Sequence, residues 1–149
     1  MKVYIDADAC PVKEETLKVA ERYDLPVFIV SNGGMRPSRD PRITNIIVPK
    51  TPDAADDWIA ERLESDDIVV TQDIPLAARA LEVGSLPLGP TGKVFTEQTI
   101  GMVLAVRELN QHIREANNTQ TRHAGFTPRD RSTFLQALDR LIVGAQKAS

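Results

Sequence analysis

The sequence predicts an α/β fold with a central, mostly parallel sheet. Two observations support this prediction: short apolar runs alternate with segments of helical periodicity, and several segments begin or end with a helix-type proline or glycine signal. Strands that alternate with helices imply βαβ units with right-handed crossovers, and such units build parallel sheets. The length of 149 residues favours a single domain, 1–149, with a substantial core.

The first part of the chain supplies most of the sheet. Apolar runs predict four strands, at 2–6, 26–30, 46–48 and 67–72. Helices are predicted at 12–23, 54–64 and 75–83. Pro11 and Pro75 stand where a missing N–H is tolerated at a helix start, and Gly84 is a suitable C-terminal cap. In the second helix, Ala55, Ile59 and Leu63 recur every four residues and form an apolar stripe.

After a turn at 89–92 the pattern becomes helical. A long helix is predicted from about 96 to 115, and the polar stretch 117–127 lacks periodicity and is interpreted as a loop. A last helix follows, with Thr127 as its N-cap and Pro128 as its first residue. Its predicted apolar face comprises Phe134, Leu138, Leu141 and Ile142.

Composition excludes several classes of protein. The formal net charge of −3 argues against a protein coated in basic surface for gripping nucleic acid, although a local basic rim stays compatible with it. No apolar run reaches the roughly 18–20 residues of a membrane-spanning helix, and the N-terminus lacks a signal-peptide pattern. Cys10 is the only cysteine, so no internal disulfide forms, and we expect a cytoplasmic protein.

Acidic residues recur at comparable points of the predicted fold. Asp6 and Asp8 follow the first strand, Asp73 follows the fourth, and Asp56 lies at the start of the second helix, flanked by Asp53 and Asp57. The carboxyl ends of parallel strands meet at one edge of the sheet, where open α/β sheets bind their ligands. We therefore expect the carboxylates of Asp6, Asp56 and Asp73 to converge.

Converging carboxylates repel one another unless a cation or a proton separates them. Oxygen-only ligands suit Mg²⁺ or Mn²⁺, with Asp6, Asp8, Asp56 and Asp73 as the candidate metal ligands. Such ions generate hydroxide and hold a phosphodiester, so Asp6, Asp56 and Asp73 are candidate catalytic residues of a phosphate-ester hydrolase.

Each acid also has a structural interpretation. Asp53, Asp73 and Asp8 are each suitable as helix N-caps, and negative charge in a first helical turn is favourable for Asp56 and Asp57 whatever the function. Asp57 is expected to turn outward with the helical rotation. Asp6 is the hardest of these residues to explain by structure alone, because it ends an apolar strand.

Candidate substrate-binding residues follow the second strand. Ser31 and Asn32 stand at its carboxyl end, and Arg36 belongs to a loop at 31–42 with three arginines and two glycines. Arginine donates paired hydrogen bonds to phosphate, although the loop is equally compatible with a solvated connection. Positive charge at 121–123, Arg129 and Arg131 forms a rim if the C-terminal helices fold back over the site.

Other reactive residues are given ordinary roles. Cys10 lies near a helix start, but the neighbouring aspartates raise a thiol pKa, so we interpret it as a small buried residue rather than a nucleophile. His112 and His123 lack metal-ligand spacing and are interpreted as surface residues.

Five segments of the chain resemble the YaiI/YqxD family of uncharacterised bacterial proteins. They are Asp6-Ala7-Asp8-Ala9-Cys10-Pro11-Val12, Asp53-Ala54-Ala55-Asp56, Val70-Thr71-Gln72-Asp73-Ile74-Pro75-Leu76-Ala77, and Gln120-Thr121 with Arg129-Asp130-Arg131. That family is grouped with PIN-like nuclease domains. The resemblance implies a PIN-like three-layer sandwich with C-terminal helices, and Mg²⁺ or Mn²⁺ bound by Asp6, Asp56 and Asp73. It also implies RNA as a partner and, because PIN-like domains often dimerise, a homodimer.

Three functions stay open at this point. The first is a metal-dependent nuclease acting on RNA. The second is a phosphatase of the haloacid-dehalogenase type, because Asp6 and Asp8 have its nucleophile-and-acid spacing and Ser31 ends the next strand. The third is a non-catalytic PIN-like module whose acids bind metal for structure or contact a partner. A fold alone does not choose between an enzyme and a binding module.

Overall fold

Five parallel strands form one sheet in the computed structural model, which describes residues 1–7, 10–33, 40–51, 53–102, 105 and 126–148. The strands are β1 (Val3–Asp6), β2 (Val27–Ser31), β3 (Ile43–Ile47), β4 (Ile68–Val70) and β5 (Leu86–Leu88). The helices are α1 (Lys13–Arg22), α2 (Ala54–Arg62), α3 (Ile74–Glu82) and α4 (Pro128–Ala148). Residues 97–102 are also helical.

The strand order is β3-β2-β1-β4-β5, with β1 in the centre. The chain therefore builds the sheet outward from β1 in one direction and then restarts on the other side of β1 with β4. The boundary between β1 and β4 is a topological switch point, and a crevice opens there at the carboxyl ends of the two strands.

Helices cover both faces of the sheet and make a three-layer α/β sandwich, as predicted. On one face, Ile5 and Val70 pack with α1 and with the α4 residues Phe134, Leu138 and Ile142. These three α4 residues are fully buried and recur every four positions, so the predicted apolar face of the last helix is confirmed. On the other face, Tyr4 and Val69 pack with α2 and α3.

The edges of the sheet differ from the sequence-based expectation. β5 was not predicted, because Leu86-Pro87-Leu88 is short and contains proline. Proline is tolerated there because β5 is the edge strand beside β4; beyond it, Leu88 makes an isolated antiparallel bridge with Val94. The third strand lies at 43–47 rather than 46–48 and forms the opposite edge. The strand includes the polar residues Thr44 and Asn45, so its first half lacks an apolar run, and its residues are exposed or half-buried.

The helix starts show which capping predictions hold. Thr127 and Asp130 cap α4 reciprocally: Thr127 Oγ1 accepts from the Asp130 amide at 3.1 Å, and Asp130 Oδ2 accepts from the Thr127 amide at 3.0 Å. By contrast, α1 begins at Lys13 with Val12 as its N-cap, so Pro11 lies in the preceding turn rather than in the helix. Most of the predicted helix at 96–115 and of the loop at 117–127 lies outside the described residues.

No helix within these described ranges has both the length and the apolar character needed to cross a bilayer.

Candidate functional site

The candidate site lies at the switch point, where the ends of β1 and β4 are adjacent. Asp6 is the last residue of β1, and Asp73 is the N-cap of α3, three residues beyond the end of β4. Tyr4 and Val69 pair in register, so Asp6 and Thr71 are the next residues on the same face of the sheet. This is the face that α2 and α3 cover.

A short hydrogen-bond chain connects the two strand ends. The buried Thr71 hydroxyl donates to Asp6 Oδ2 at 2.9 Å and accepts from the Asp73 amide at 2.9 Å. Asp73 Oδ1 in turn accepts from the Leu76 amide at 2.9 Å, so this carboxylate also caps α3. The orientations of Asp6 and Asp73 are therefore both fixed by neighbouring groups.

Asp56 brings a third carboxyl to the same place. Burial, a hydrogen bond with Asp73 and the negative charges of Asp73, Asp6 and Asp53 raise the pKa of Asp56 to about 7. The Asp56 carboxyl therefore keeps its proton to a higher pH than a free aspartate does. Asp6 and Asp73 are thus linked through Thr71, and the charges of both act on Asp56.

The position of Asp56 follows from the packing of α2. Ile59 is fully buried against Tyr4 and Val69, and Trp58 packs against Tyr4 and Phe28. These contacts fix the rotation of the helix and turn its first acid toward the strand ends. Asp57 is turned outward, as expected, and its carboxylate lies 2.7 Å from Arg79 Nη1.

The cap interpretation of Asp53 is wrong in its detail. Asp53 occupies the N-cap position of α2 but has a left-handed backbone, with φ of 68°, and its side chain accepts no capping hydrogen bond. The Asp53 carbonyl instead accepts from the Asp57 amide at 2.8 Å. Its carboxylate adds to the negative charge around Asp56.

The predicted substrate-binding residues are only partly described. Ser31 is buried at the end of β2, and its Oγ accepts from the Gly33 amide at 3.3 Å. Because Val30 faces α2 and α3, alternation turns Ser31 toward the opposite face from Asp6. Asn32 is exposed beside it. Arg36, like the candidate ligand Asp8, lies outside the described residues.

Cys10 packs against the core beside α1 and α4, as the sequence interpretation expected. Burial raises the pKa of the Cys10 thiol, with a smaller contribution from Asp6. This is the opposite of the shift that activates a nucleophilic cysteine. His112 and His123 lie outside the described residues.

The arrangement of the described side chains bears on the predicted metal site. Among the described side chains, no group of three or more His, Cys, Asp or Glu is arranged to hold a metal ion. Burial and the neighbouring carboxyls of Asp73 and Asp6 raise the pKa of Asp56 at this place. Their donor atoms are all oxygens, which is the chemistry that Mg²⁺ and Mn²⁺ prefer.

The start of α4 carries Arg129 and Arg131, two of the expected rim residues. Arg131 lies with its guanidinium carbon 5.8 Å from the Phe126 ring centroid and its Nε 3.0 Å from Glu15. Arg129 is exposed in the first turn of the same helix. Because Arg131 pairs with Glu15 of α1, the rim stays a prediction, and residues 121–123 lie outside the described residues.

Thr71 is the site residue that the sequence interpretation missed. It was counted only as part of a strand, although its hydroxyl connects Asp6 to the Asp73 amide. The available signal was alternation: a polar residue two positions after a buried strand residue lies on the same face as that residue. Applied to both strands, this rule pairs Asp6 with Thr71.

Comparison with known proteins agrees with these motifs. The model of the uncharacterised BCR, YaiI/YqxD family matches residues 4–144. UPF0178 protein mlr0875 of Mesorhizobium japonicum is 57% identical over 147 residues, which are 99% of this chain and 95% of that protein. UPF0178 protein Rru_A0086 of Rhodospirillum rubrum is 53% identical over 148 residues, 99% of both chains. The chain therefore belongs to the YaiI/YqxD family.

Proposed function

We propose that this protein is a divalent-metal-dependent hydrolase of phosphodiester bonds and that its substrate is RNA. One observation carries the proposal: acids from three separate segments, Asp6, Asp56 and Asp73, converge at the switch point of a parallel sheet. Structural capping accounts for Asp73 but not for a protonated Asp56 beside it. Strongly perturbed acids in such a crevice are typical of catalytic sites.

The donor atoms of these residues are of the kind that Mg²⁺ or Mn²⁺ prefers, although the described side chains are not grouped to hold an ion. Asp6, Asp56 and Asp73 would hold the ion, with Asp8 as a further ligand. When bound, the ion would supply a nucleophilic hydroxide and neutralise charge on the phosphate. The carboxylates repel one another without a cation, so cation binding relieves an existing conflict.

The chain's own residues have distinct parts in this proposal. The Thr71 hydroxyl and the Leu76 amide hold Asp6 and Asp73 in fixed orientations before any ligand arrives. Asp56 is either a third ligand or the base that orients the attacking water. Its pKa of about 7 lies in the range where a carboxylate exchanges a proton at neutral pH.

The haloacid-dehalogenase alternative is less well supported. That mechanism uses the hydroxyl at the end of the neighbouring strand, and Ser31 turns toward the opposite face from Asp6. A trapped fluoroberyllate adduct on Asp6 would favour the phosphatase. The third alternative, a non-catalytic module, has the same acidic cluster and differs from the nuclease only in the absence of turnover.

The test is cleavage of a fluorescent single-stranded RNA with Mg²⁺, with Mn²⁺ and with a chelator. We expect turnover only with metal, and a loss of about 100-fold or more in Asp6→Asn. Asp57→Asn is the matched control, because it removes a carboxylate from the outward side of the same cluster region and should change turnover by less than about twofold.

Thermal unfolding of each variant shows whether the fold is retained. Retained turnover in a folded Asp6→Asn variant would remove the proposed mechanism. If the folded wild-type protein fails to cleave RNA in the presence of either Mg²⁺ or Mn²⁺, the non-catalytic interpretation replaces the nuclease.

A further inference from the structure

A cleft of about 410 Å³ opens beside the acidic cluster at the carboxyl edge of the sheet. Gln72 and Ile74 line it, and these residues flank Asp73 directly in the sequence. Its other walls come from Pro11, from the turn after β5 and from the start of α4. The cleft therefore borders the segment that carries Asp73.

The lining of the cleft combines an apolar part with one ammonium group and one carboxylate, that of Asp130, whose Oδ2 accepts from the Thr127 amide. Phe95, Phe126 and Ile74 supply apolar surface, and the exposed residues Thr91 and Lys93 supply a hydroxyl and an ammonium group. In the described part of the chain, no carboxylate forms a salt bridge with Lys93. Lys93 is therefore the cationic group that the described lining offers to a ligand.

The walls of this cleft are preformed. The Gly89 amide donates to the Lys93 carbonyl at 2.8 Å, and the Gly92 amide donates to the Gly89 carbonyl at 3.0 Å. Gly92 packs so closely on α4 that a Cβ atom there would lie 2.6 Å from Thr133 Cγ2. The turn that carries Thr91 and Lys93 is thus held against α4, and a ligand would meet an ordered surface.

We propose that the cleft binds one nucleotide of a single-stranded RNA, next to the phosphate on which the acids act. This inference rests on the proposed function. The base would lie against the apolar wall at Phe126, and Lys93 would contact a phosphate. A cleft of this volume accepts one unstacked nucleotide and excludes a duplex, because bases within a duplex cannot leave the stack without unpairing.

The experiment measures binding of a fluorescein-labelled RNA of about ten nucleotides to the full chain. The Asp6→Asn variant with Mg²⁺ serves as the parent, so that turnover does not interfere. We expect Lys93→Glu and Thr91→Trp, which fills the cleft, each to weaken binding roughly tenfold. Both positions are exposed, so neither change removes a core contact.

Two controls separate the cleft from general electrostatics. Lys18→Glu makes the same charge change at an exposed position of α1 and should alter affinity by about twofold or less. A set of RNAs with one abasic position each tests the base contact. We expect one position to weaken binding roughly tenfold while the others have little effect.

The outcomes distinguish this inference from the proposed function. If the wild type cleaves RNA but both cleft variants bind like the parent, the cleft assignment is overturned and the nuclease stands. If the variants and the abasic position weaken binding but the wild type fails to cleave RNA with every divalent metal tested, the nuclease is overturned and the binding cleft stands. If the parent binds no single-stranded RNA, the cleft assignment is overturned directly.

Discussion

Asp56 lies close to the carboxyls of Asp73 and Asp6, and their influence on its pKa makes the stability of the fold depend on pH. Its pKa is raised to about 7, whereas an aspartate in an unfolded chain titrates near 3.9. The folded state therefore binds the proton more tightly than the unfolded state does. The stabilising contribution of protonated Asp56 is complete below about pH 4 and is lost as the pH rises through about 7.

We predict that Asp56→Asn raises the free energy of unfolding at pH 8 by about 1–2 kcal/mol. This value is well below the full linkage of the pKa shift, because the side chain is partly exposed. Asparagine keeps a hydrogen-bond donor for Asp73 but carries no charge. Urea unfolding at pH 8 and pH 4 measures the effect, and the difference from wild type should disappear at pH 4.

Asp57→Asn is the matched control for this measurement. It changes the neighbouring acid, which pairs with Arg79 at 2.7 Å on the surface, and should lower stability by about 0–1 kcal/mol. An Asp56→Asn protein that is less stable than wild type at pH 8 would contradict the electrostatic conflict described here.

At this same scale, the sequence identifies the acids better than it identifies their partners. Asp6 and Asp73 are recognisable because they follow apolar strands and precede helix starts. The Thr71 contact with Asp6 depends on the pairing of β1 with β4, which joins residues 65 positions apart. The left-handed backbone of Asp53 depends on how the chain enters α2, and the residue type alone suggested an ordinary cap.

Among the elements, the turn after β5 shows how a connection is held against a helix. Gly92 has a φ of +91°, a conformation that side chains disfavour. A Cβ atom there would also lie 2.8 Å from the backbone oxygen of Thr133 in α4. Glycine is therefore required at this position by both conformation and space.

We predict that Gly92→Ala lowers the free energy of unfolding by roughly 2–4 kcal/mol, because backbone strain and overpacking act together. Gly144→Ala is the control within α4 itself. Gly144 is helical, and nothing lies within 4 Å of its added Cβ, so alanine should raise stability by about 1 kcal/mol. Chemical denaturation of both variants measures the contrast, and equal effects would contradict the close approach of this turn.

Sequence predicts an element well when the element is long and buries one face only. The α4 residues Phe134, Leu138 and Ile142 recur every four positions, and they do form the buried face. β5 is not predictable from the sequence, because three residues with a central proline carry no periodic signal. Pro87 is acceptable there because β5 lies at the edge of the sheet.

For the whole molecule, the arrangement of the sheet decides that the acids meet. The alternation of strands and helices predicts a parallel sheet, but it does not specify that β4 lies beside β1. That adjacency brings Asp6 and Asp73 together, with Asp56 above them on α2. The parallel topology is therefore enough to predict that these acids lie at one edge of the sheet. Predicting which of them are neighbours also requires the strand order.

The same arrangement links cation binding to the stability of the entire fold. An ion that binds the converged carboxylates binds the folded state only, because the unfolded chain separates them. At a free concentration 100 times the dissociation constant, stabilisation is about 2.7 kcal/mol. For a domain of this size this corresponds to a rise in Tm of about 5–10 °C.

We predict that Mn²⁺ raises Tm by this amount at pH 8 and by less at pH 5, where protonated Asp56 competes with the ion. Chelation should reverse the shift, Asp6→Asn should abolish it, and Asp57→Asn should retain it, since only the latter carboxylate faces outward to Arg79. Scanning calorimetry gives the Tm values. An equal shift in wild type and Asp6→Asn would mean that the ion binds elsewhere, and the acidic cluster would then need another explanation for its convergence.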